Sequence, residues 1–330
     1  MVAGTTGAGI GVAVIDTGIN AADGSSRVLR QMKFNAAQKN VADGHGHGTH
    51  VAGNSWYASD ASVQGKYIGI APGAHLLDLR ASSDEGNSMV SDVVEALDWA
   101  VANRDLYNIR VLNLSMITNT SGARKASILA AAVERAWFAG IFVVVASGNI
   151  GPNTIQYAPA NDPFPIVVGA GDTKRTLNRA DDGIATWSSY GKNAKNTDRP
   201  DVVAPGRWIP SVLSANNAKL KREYGGRVMD PGYIWMSGTS MAASVVSGLA
   251  ALVLQAHPEL TNDQLKWLMV NTATQLPGVT GSGAGMVNYD AIMNYEGQIG
   301  FANDGYALPD YLAGPEGSFN YSTSSWSTSS

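Results

Sequence analysis

No cysteine occurs in the chain, which excludes disulfides, thiolate catalysis and sulfur-ligated metals while leaving the compartment open. Charge is sparse too: charged residues make up 15% of the sequence and the formal net charge is only -4. Without a long Lys/Arg run there is no stripe to track phosphates, so nucleic acid is not expected as a partner. The first residues lack a basic segment followed by a signal-type apolar core. No apolar run approaches the length of a membrane span, so none is expected. What the 330 residues do contain is 45% apolar side chains, enough to bury a large core without a metal or disulfide staple.

The apolar run at 10–15 ends in Asp-Thr-Gly, the pattern of a buried strand that delivers Asp16 to its carboxyl edge. Similar runs follow at 76–79, 111–114, 141–145 and 166–168. Between the first four, helical periodicity is readable at 88–102 and 123–139. Strand and helix alternate, so the expected fold class is α/β: a doubly wound, mostly parallel sheet with helices on both faces and functional groups at the strands' carboxyl ends. A third apolar helix is expected at 240–255, stopped by Pro258, and a further one at about 262–272. Residues 1–300 read as one catalytic domain. Residues 301–330 read as a C-terminal extension whose Ser/Thr-rich end is expected to be disordered.

Three short motifs supply the parts of one reaction: IDTG with Asp16, HGTHVAG with His47 and SGTSMA with Ser240. A serine hydroxyl is a poor nucleophile at neutral pH. An imidazole must take its proton, and a carboxylate must hold that imidazole in the correct tautomer. Thr49 is expected to cap a helix that begins near His47. Gly238 and Thr239 open another near Ser240, aiming backbone N–H groups at the oxyanion formed when Ser240 attacks. In VVVASGN a buried strand ends at Gly148 and Asn149, and the Asn149 amide is a second candidate oxyanion donor.

Asp, His and Ser in this order, with their flanking motifs, resemble the subtilisin-like serine proteases, or subtilases. The resemblance runs from about residue 9 to 290 and includes IGIAPGA at 68–74, LNLS at 112–115, PDVVAPG at 200–206 and GAGMVN at 283–288. With its Lys/Arg-bearing insert between Ala215 and Ile234, the chain looks most similar to the bacterial AprX-like subset. The resemblance implies a serine endopeptidase for broad protein and peptide substrates, folded with an N-terminal propeptide and secreted or extracellular after processing. It also implies substrate backbone lying between a strand around Ser82 to Gly86 and another around Leu114, Ser115 and Met116. The primary specificity pocket is then expected between 115–117 and Ala146, Ser147 and Gly148. The small Ala160 at its base leaves room for a large apolar side chain before the scissile bond.

Other readings are weaker. An aspartic peptidase needs two paired carboxylates, and no second DTG or DSG occurs. His45, His47 and His50 cluster without the adjacent Glu of a zincin helix. His50 reads as a packed helical residue and His45 as a solvent-facing neighbour of His47, the resemblance favouring His47 as the base. No cofactor is required for the chemistry. Structural calcium is compatible with the family, but the stretch 54–67 does not show its usual loop, and Asp43, Asp60, Asp172 and Asp181 read as loop carboxylates, so no metal ligand is assigned. The alternative from another class is a noncatalytic module that binds extended peptides. One departure stands out: Ser244 occupies a position where many subtilases carry proline. Relief of the proline constraint would make the first turn more regular and displace Ser240 slightly, but the favoured reading is simple tolerance of serine in a helix.

Overall fold

The structure is a computed structural model that describes residues 4–20, 27–56, 67–118, 127–193, 196–215, 218–229 and 232–304. The strands are β1 (Gly11–Asp16), β2 (Val28–Lys33), β3 (His75–Arg80), β4 (Ile109–Leu114), β5 (Phe142–Ala146), β6 (Ile166–Asp172), β7 (Gly183–Ile184), β8 (Gly191–Lys192), β9 (Asp198–Arg199), β10 (Val202–Pro205), β11 (Ile209–Val212) and β12 (Tyr233–Met236). The α-helices are α1 (His47–Trp56), α2 (Val90–Ala102), α3 (Ile128–Phe138), α4 (Lys219–Glu223), α5 (Thr239–Ala256), α6 (Asn262–Asn271) and α7 (Tyr289–Met293).

The main sheet runs β10-β6-β5-β4-β1-β3-β2, with the short β7 beside β6. All pairings along that path are parallel, and only β7 is antiparallel. From β1 the chain passes to β2 at one edge, returns to place β3 between them, and then crosses to β4 on the other side of β1. The switch in strand order therefore lies at β1, whose last residue is Asp16. A crevice opens at the carboxyl ends where the order reverses.

Every residue of β1 and β5 is buried, as expected for strands covered on both faces. Each fully buried Val, Leu or Ile there contributes about 1.5–3 kcal/mol. α2 and α3 pack on each other and against β1 and β5, while α5 lies across β4, β5, β6 and β10 and against α1. α5 is long and apolar enough to meet the criteria for a membrane span, contrary to the expectation that no run approaches one. It is the central core helix, with 89% of its residues buried.

The expected helices appear, α6 starting at Asn262 as expected and α2 and α3 starting later among the described residues, with 123–126 outside them. α2 begins at Val90 because Met89 is extended and Ser88 bridges to Ser82. α3 begins at Ile128 because Ser127 is extended and its hydroxyl accepts from Ala130 N at 3.2 Å. α6 carries a capping box between Thr261 and Gln264. β2 was not expected: it is polar and half exposed, the composition of an edge strand. The Ser/Thr-rich tail lies outside the described residues, as do Asp60 and most of 54–67.

Candidate active site

Three elements bring the motif residues to one end of the sheet. Asp16 is the last residue of β1, His47 the first of α1 and Ser240 the second of α5. His47 Nδ1 lies 2.7 Å from Asp16 Oδ1, which also accepts from Thr17 N at 2.7 Å. This contact requires Nδ1 to carry the proton, leaving Nε2 as the ring's acceptor. Burial pulls the His47 pKa down, but the charge of Asp16, the hydrogen bond to it and the charge of Asp43 outweigh burial, and the net shift is upward. The close approach of α1 to β1 depends on Gly48, where a Cβ would stand 2.2 Å from Gly18 O and 3.1 Å from Asp16 Cβ.

Ser240 Oγ donates to Ser115 O at 3.3 Å, so in this state its proton faces the end of β4 and not His47. Ser115 Oγ donates in turn to Ser240 O at 3.3 Å. Asn149 follows β5, and its Oδ1 accepts from Thr239 N at 2.9 Å and Thr239 Oγ1 at 3.0 Å. Two donors on the oxygen settle the amide orientation and leave Nδ2 pointing away from Thr239. A methyl group on Gly238 would sit 3.7 Å from that Nδ2 and 3.8 Å from Ser240 N. The two donors thus converge on a space that glycine keeps open, at the positive end of α5.

The helix cap is not Thr49 but Asp43, which is buried. Asp43 Oδ1 accepts from Gly46 N at 2.7 Å and Thr17 Oγ1 at 2.9 Å, and its Oδ2 accepts from Thr49 N at 2.9 Å and Thr49 Oγ1 at 2.6 Å. Gly48 N donates to Thr17 Oγ1 at 2.9 Å. The end of β1 and the first turn of α1 are therefore one hydrogen-bonded unit. An Asp shortly before a helix start is an N-terminal signal that points to this role.

Arg80, also buried, was not foreseen. It donates to Asn40 O at 3.0 Å, to Ala42 O, to Ser82 O at 3.2 Å and to Asp84 Oδ1 at 2.6 Å, and so joins the loop before α1 to the turn after β3. Asn54 on α1 donates to Ser244 Oγ at 2.6 Å and to Met241 O at 3.0 Å on α5, while Ser244 Oγ donates to Met241 O at 2.8 Å. Serine at 244 thus sits in an unbroken helix and ties the His47 helix to the Ser240 helix.

His50 is fully buried, with Nε2 at 3.1 Å from Ile234 O. Burial, followed by the neighbouring His47, pulls its pKa down to about 3, so it stays neutral. His45 is half-buried and lines the cleft, its ring centroid 6.2 Å from that of His47, and burial followed by His47 lowers its pKa.

A cleft of about 560 Å³ opens beside His47, lined by Ser82, Gly86, Met89, Val93, Ser115 and Met116 among others. Its walls differ from the two expected strands. Ser82 makes one antiparallel bridge to Ser88, Gly86 lies in the turn between them at φ 83°, and β4 ends at Leu114. Leu114, Ala146, Ser147 and Ala160 are buried behind the cleft. The gap to Gly148 is narrowed by Ile117, whose Cδ1 is 3.1 Å from where a Gly148 Cβ would stand. Of the carboxylates weighed for calcium, Asp43 caps α1, Asp172 pairs with Lys174 and Arg207, and Asp181 accepts from Thr176. Among the described residues no three His, Asp or Glu side chains come together as a metal-binding group.

The family model of the subtilases, Peptidase_S8, matches residues 7–289. The chain belongs to the subtilase family. This subtilase is 37% identical over 290 residues to serine protease AprX of Bacillus subtilis, covering 84% of the chain and 65% of AprX. It is 34% identical to subtilisin BL of Lederbergia lenta, covering 87% of the chain and 92% of subtilisin BL. Among solved structures it superposes on a cold adapted subtilisin-like serine proteinase with a TM-score of 0.64 at 28% identity, covering 87% of this chain and 89% of the other. The mostly parallel α/β architecture is that of the subtilisin-like fold.

Proposed function

We propose that this subtilase is a serine endopeptidase that hydrolyses peptide bonds in protein substrates through an acyl-enzyme on Ser240. The carrying observation is the Asp16–His47 pair at 2.7 Å, which leaves the imidazole a free basic face at the sheet end that also holds Ser240. In the reaction, rotation about Cα–Cβ moves the Ser240 hydroxyl from Ser115 O to His47 Nε2. The imidazole takes the proton as Oγ attacks the scissile carbonyl, then gives it to the leaving amine. The oxyanion is met by Ser240 N–H and Asn149 Nδ2. Water repeats the sequence to release the acid. No cofactor takes part.

The peptide lies in the cleft between the 82–88 turn and Ser115 and Met116. Met89, Val90, Val93, Met116 and Leu129 line that cleft and favour large apolar side chains before the scissile bond. Action outside the cell after removal of an N-terminal propeptide completes the proposal. The test is a serine-directed fluorophosphonate followed by peptide mapping: modification of Ser240 together with cleavage of casein is expected. An unmodified Ser240 in folded protein that also leaves casein intact would point to a peptide-binding module instead.

A pH dependence follows from the environment of His47. Its pKa is raised, and only neutral imidazole accepts the Ser240 proton, so activity is lost as pH falls through that raised value. The acidic limb of kcat/KM is expected above about 6.5, the ordinary histidine value. A limb centred below it, with chemistry limiting the rate, would contradict the assigned pair.

A further inference from the structure

On a segment that contacts the residues just before Ser240 and does not line the cleft, the chain builds a stack that the reaction as described does not use. Ser240 reaches the cleft through Ser115, whereas Ser237 and Gly238, just before it, face a different segment. Gly238 N donates to Gly206 O at 2.9 Å, and Trp208 N donates to Ser237 Oγ at 2.9 Å. Trp208 is 38% exposed and has φ 56°, a left-handed conformation that bulky residues rarely adopt and that persists only where the surroundings impose it.

Arg227 lies over this ring, its Cζ 5.5 Å from the Trp208 centroid and 4.6 Å from that of Tyr224. Among the described residues no carboxylate pairs with Arg227. A cation over aromatic rings keeps its charge, and the N–H donors of a guanidinium match a carboxylate in a two-point contact. The insert that supplies Tyr224 and Arg227, residues 215–234, carries four basic and two acidic side chains. It is anchored to the site, since Lys219 N donates to Gly44 O at 2.9 Å and Leu220 N to His45 O at 3.0 Å.

A peptide with its acyl half in the cleft must lead its leaving half past Ser240 on the other side. We infer that Arg227, packed over Trp208 and Tyr224, receives an acidic side chain from the first residues after the scissile bond, making the enzyme selective on its leaving-group side. This inference rests on the endopeptidase reading. Stacking fixes the cation without neutralising it, so an acidic residue there gains a charge-assisted contact and a lysine meets repulsion.

The test uses internally quenched peptides with one acyl-side sequence and Asp, Ala or Lys at each of the first three positions after the cleaved bond. A p-nitroanilide with the same acyl half and no residue beyond it serves as reference. At one of the three positions Asp is expected to exceed Lys in kcat/KM by about tenfold at low salt, fading as salt is added. In Arg227→Met the ratio falls to about one and in Arg227→Glu it inverts, while anilide hydrolysis per fluorophosphonate-titrated site stays within about twofold. Arg227→Lys keeps the preference in weakened form, so it decides the matter if Arg227→Met titrates poorly. Absence of any Asp-over-Lys preference in the wild type, or its survival unchanged in all three variants, overturns the inference while leaving the endopeptidase reading intact. Failure of the wild type to cleave both the anilide and casein overturns the reading itself, and the inference with it.

Discussion

Ser240→Ala is expected to lower kcat/KM for peptide hydrolysis by about four orders of magnitude or more, because the variant lacks the oxygen that forms the acyl-enzyme. The fold should scarcely notice. Ser240 Oγ makes one long hydrogen bond, to Ser115 O at 3.3 Å, and losing such a contact costs about 1 kcal/mol or less. The substrate contacts proposed along the 82–88 turn and Ser115 are untouched, so the loss is expected to fall on kcat and not on binding. Steady-state kinetics beside a thermal melt would check both halves. Near-normal turnover in a preparation free of contaminating protease would remove Ser240 from the mechanism.

The second large effect concerns stability. Asp43→Ala takes the acceptor away from Gly46 N, Thr49 N, Thr49 Oγ1 and Thr17 Oγ1 at once, in a buried pocket with little room for replacement water. An unsatisfied buried donor costs about 1–3 kcal/mol, and partial relaxation shares the loss, so a destabilisation of about 3–5 kcal/mol is expected. Asp43→Asn retains one acceptor oxygen and turns an NH₂ toward the other pair of donors, so an intermediate loss follows. The charge of Asp43 also helps to raise the His47 pKa, and both variants should move the acidic limb of activity to lower pH. Denaturant midpoints with linear extrapolation test the first point, and pH profiles of the Asn variant test the second. A change in stability under about 0.5 kcal/mol for Asp43→Ala would mean that another group caps α1.

The same residue separates what was readable early from what was not. Asp43 stands four residues before His47, within reach of a helix-start rule, yet the neighbouring threonine offered an equally good local cap. Only the docking of Thr17 onto Asp43, across a gap of 26 positions, decides between them. Ser244 is similar: a serine inside a helix is unremarkable until Asn54, 190 positions away, is seen to donate to it. The expected pocket over Ala160 turns on a related point. Small residues mark where space is possible, but whether a neighbour such as Ile117 leans into it is a matter of packing.

By itself the sequence determined the strand–helix alternation, the switch of function toward strand ends and the four residues with matching chemistry. Those signals are local: apolar periodicity is written within a dozen neighbours, and each motif supplies its own turn and glycine. The tertiary structure alone decided which carboxylate caps α1, how Arg80 joins the cleft rim to the loop before His47, which way Asn149 presents its amide, and that Arg227 packs over two aromatic rings beside the nucleophile loop. Each depends on partners far apart along the chain, brought together by burial of the apolar faces of α1 and α5 and by the hairpin of β11 and β12, and no short-range pattern encodes such a meeting.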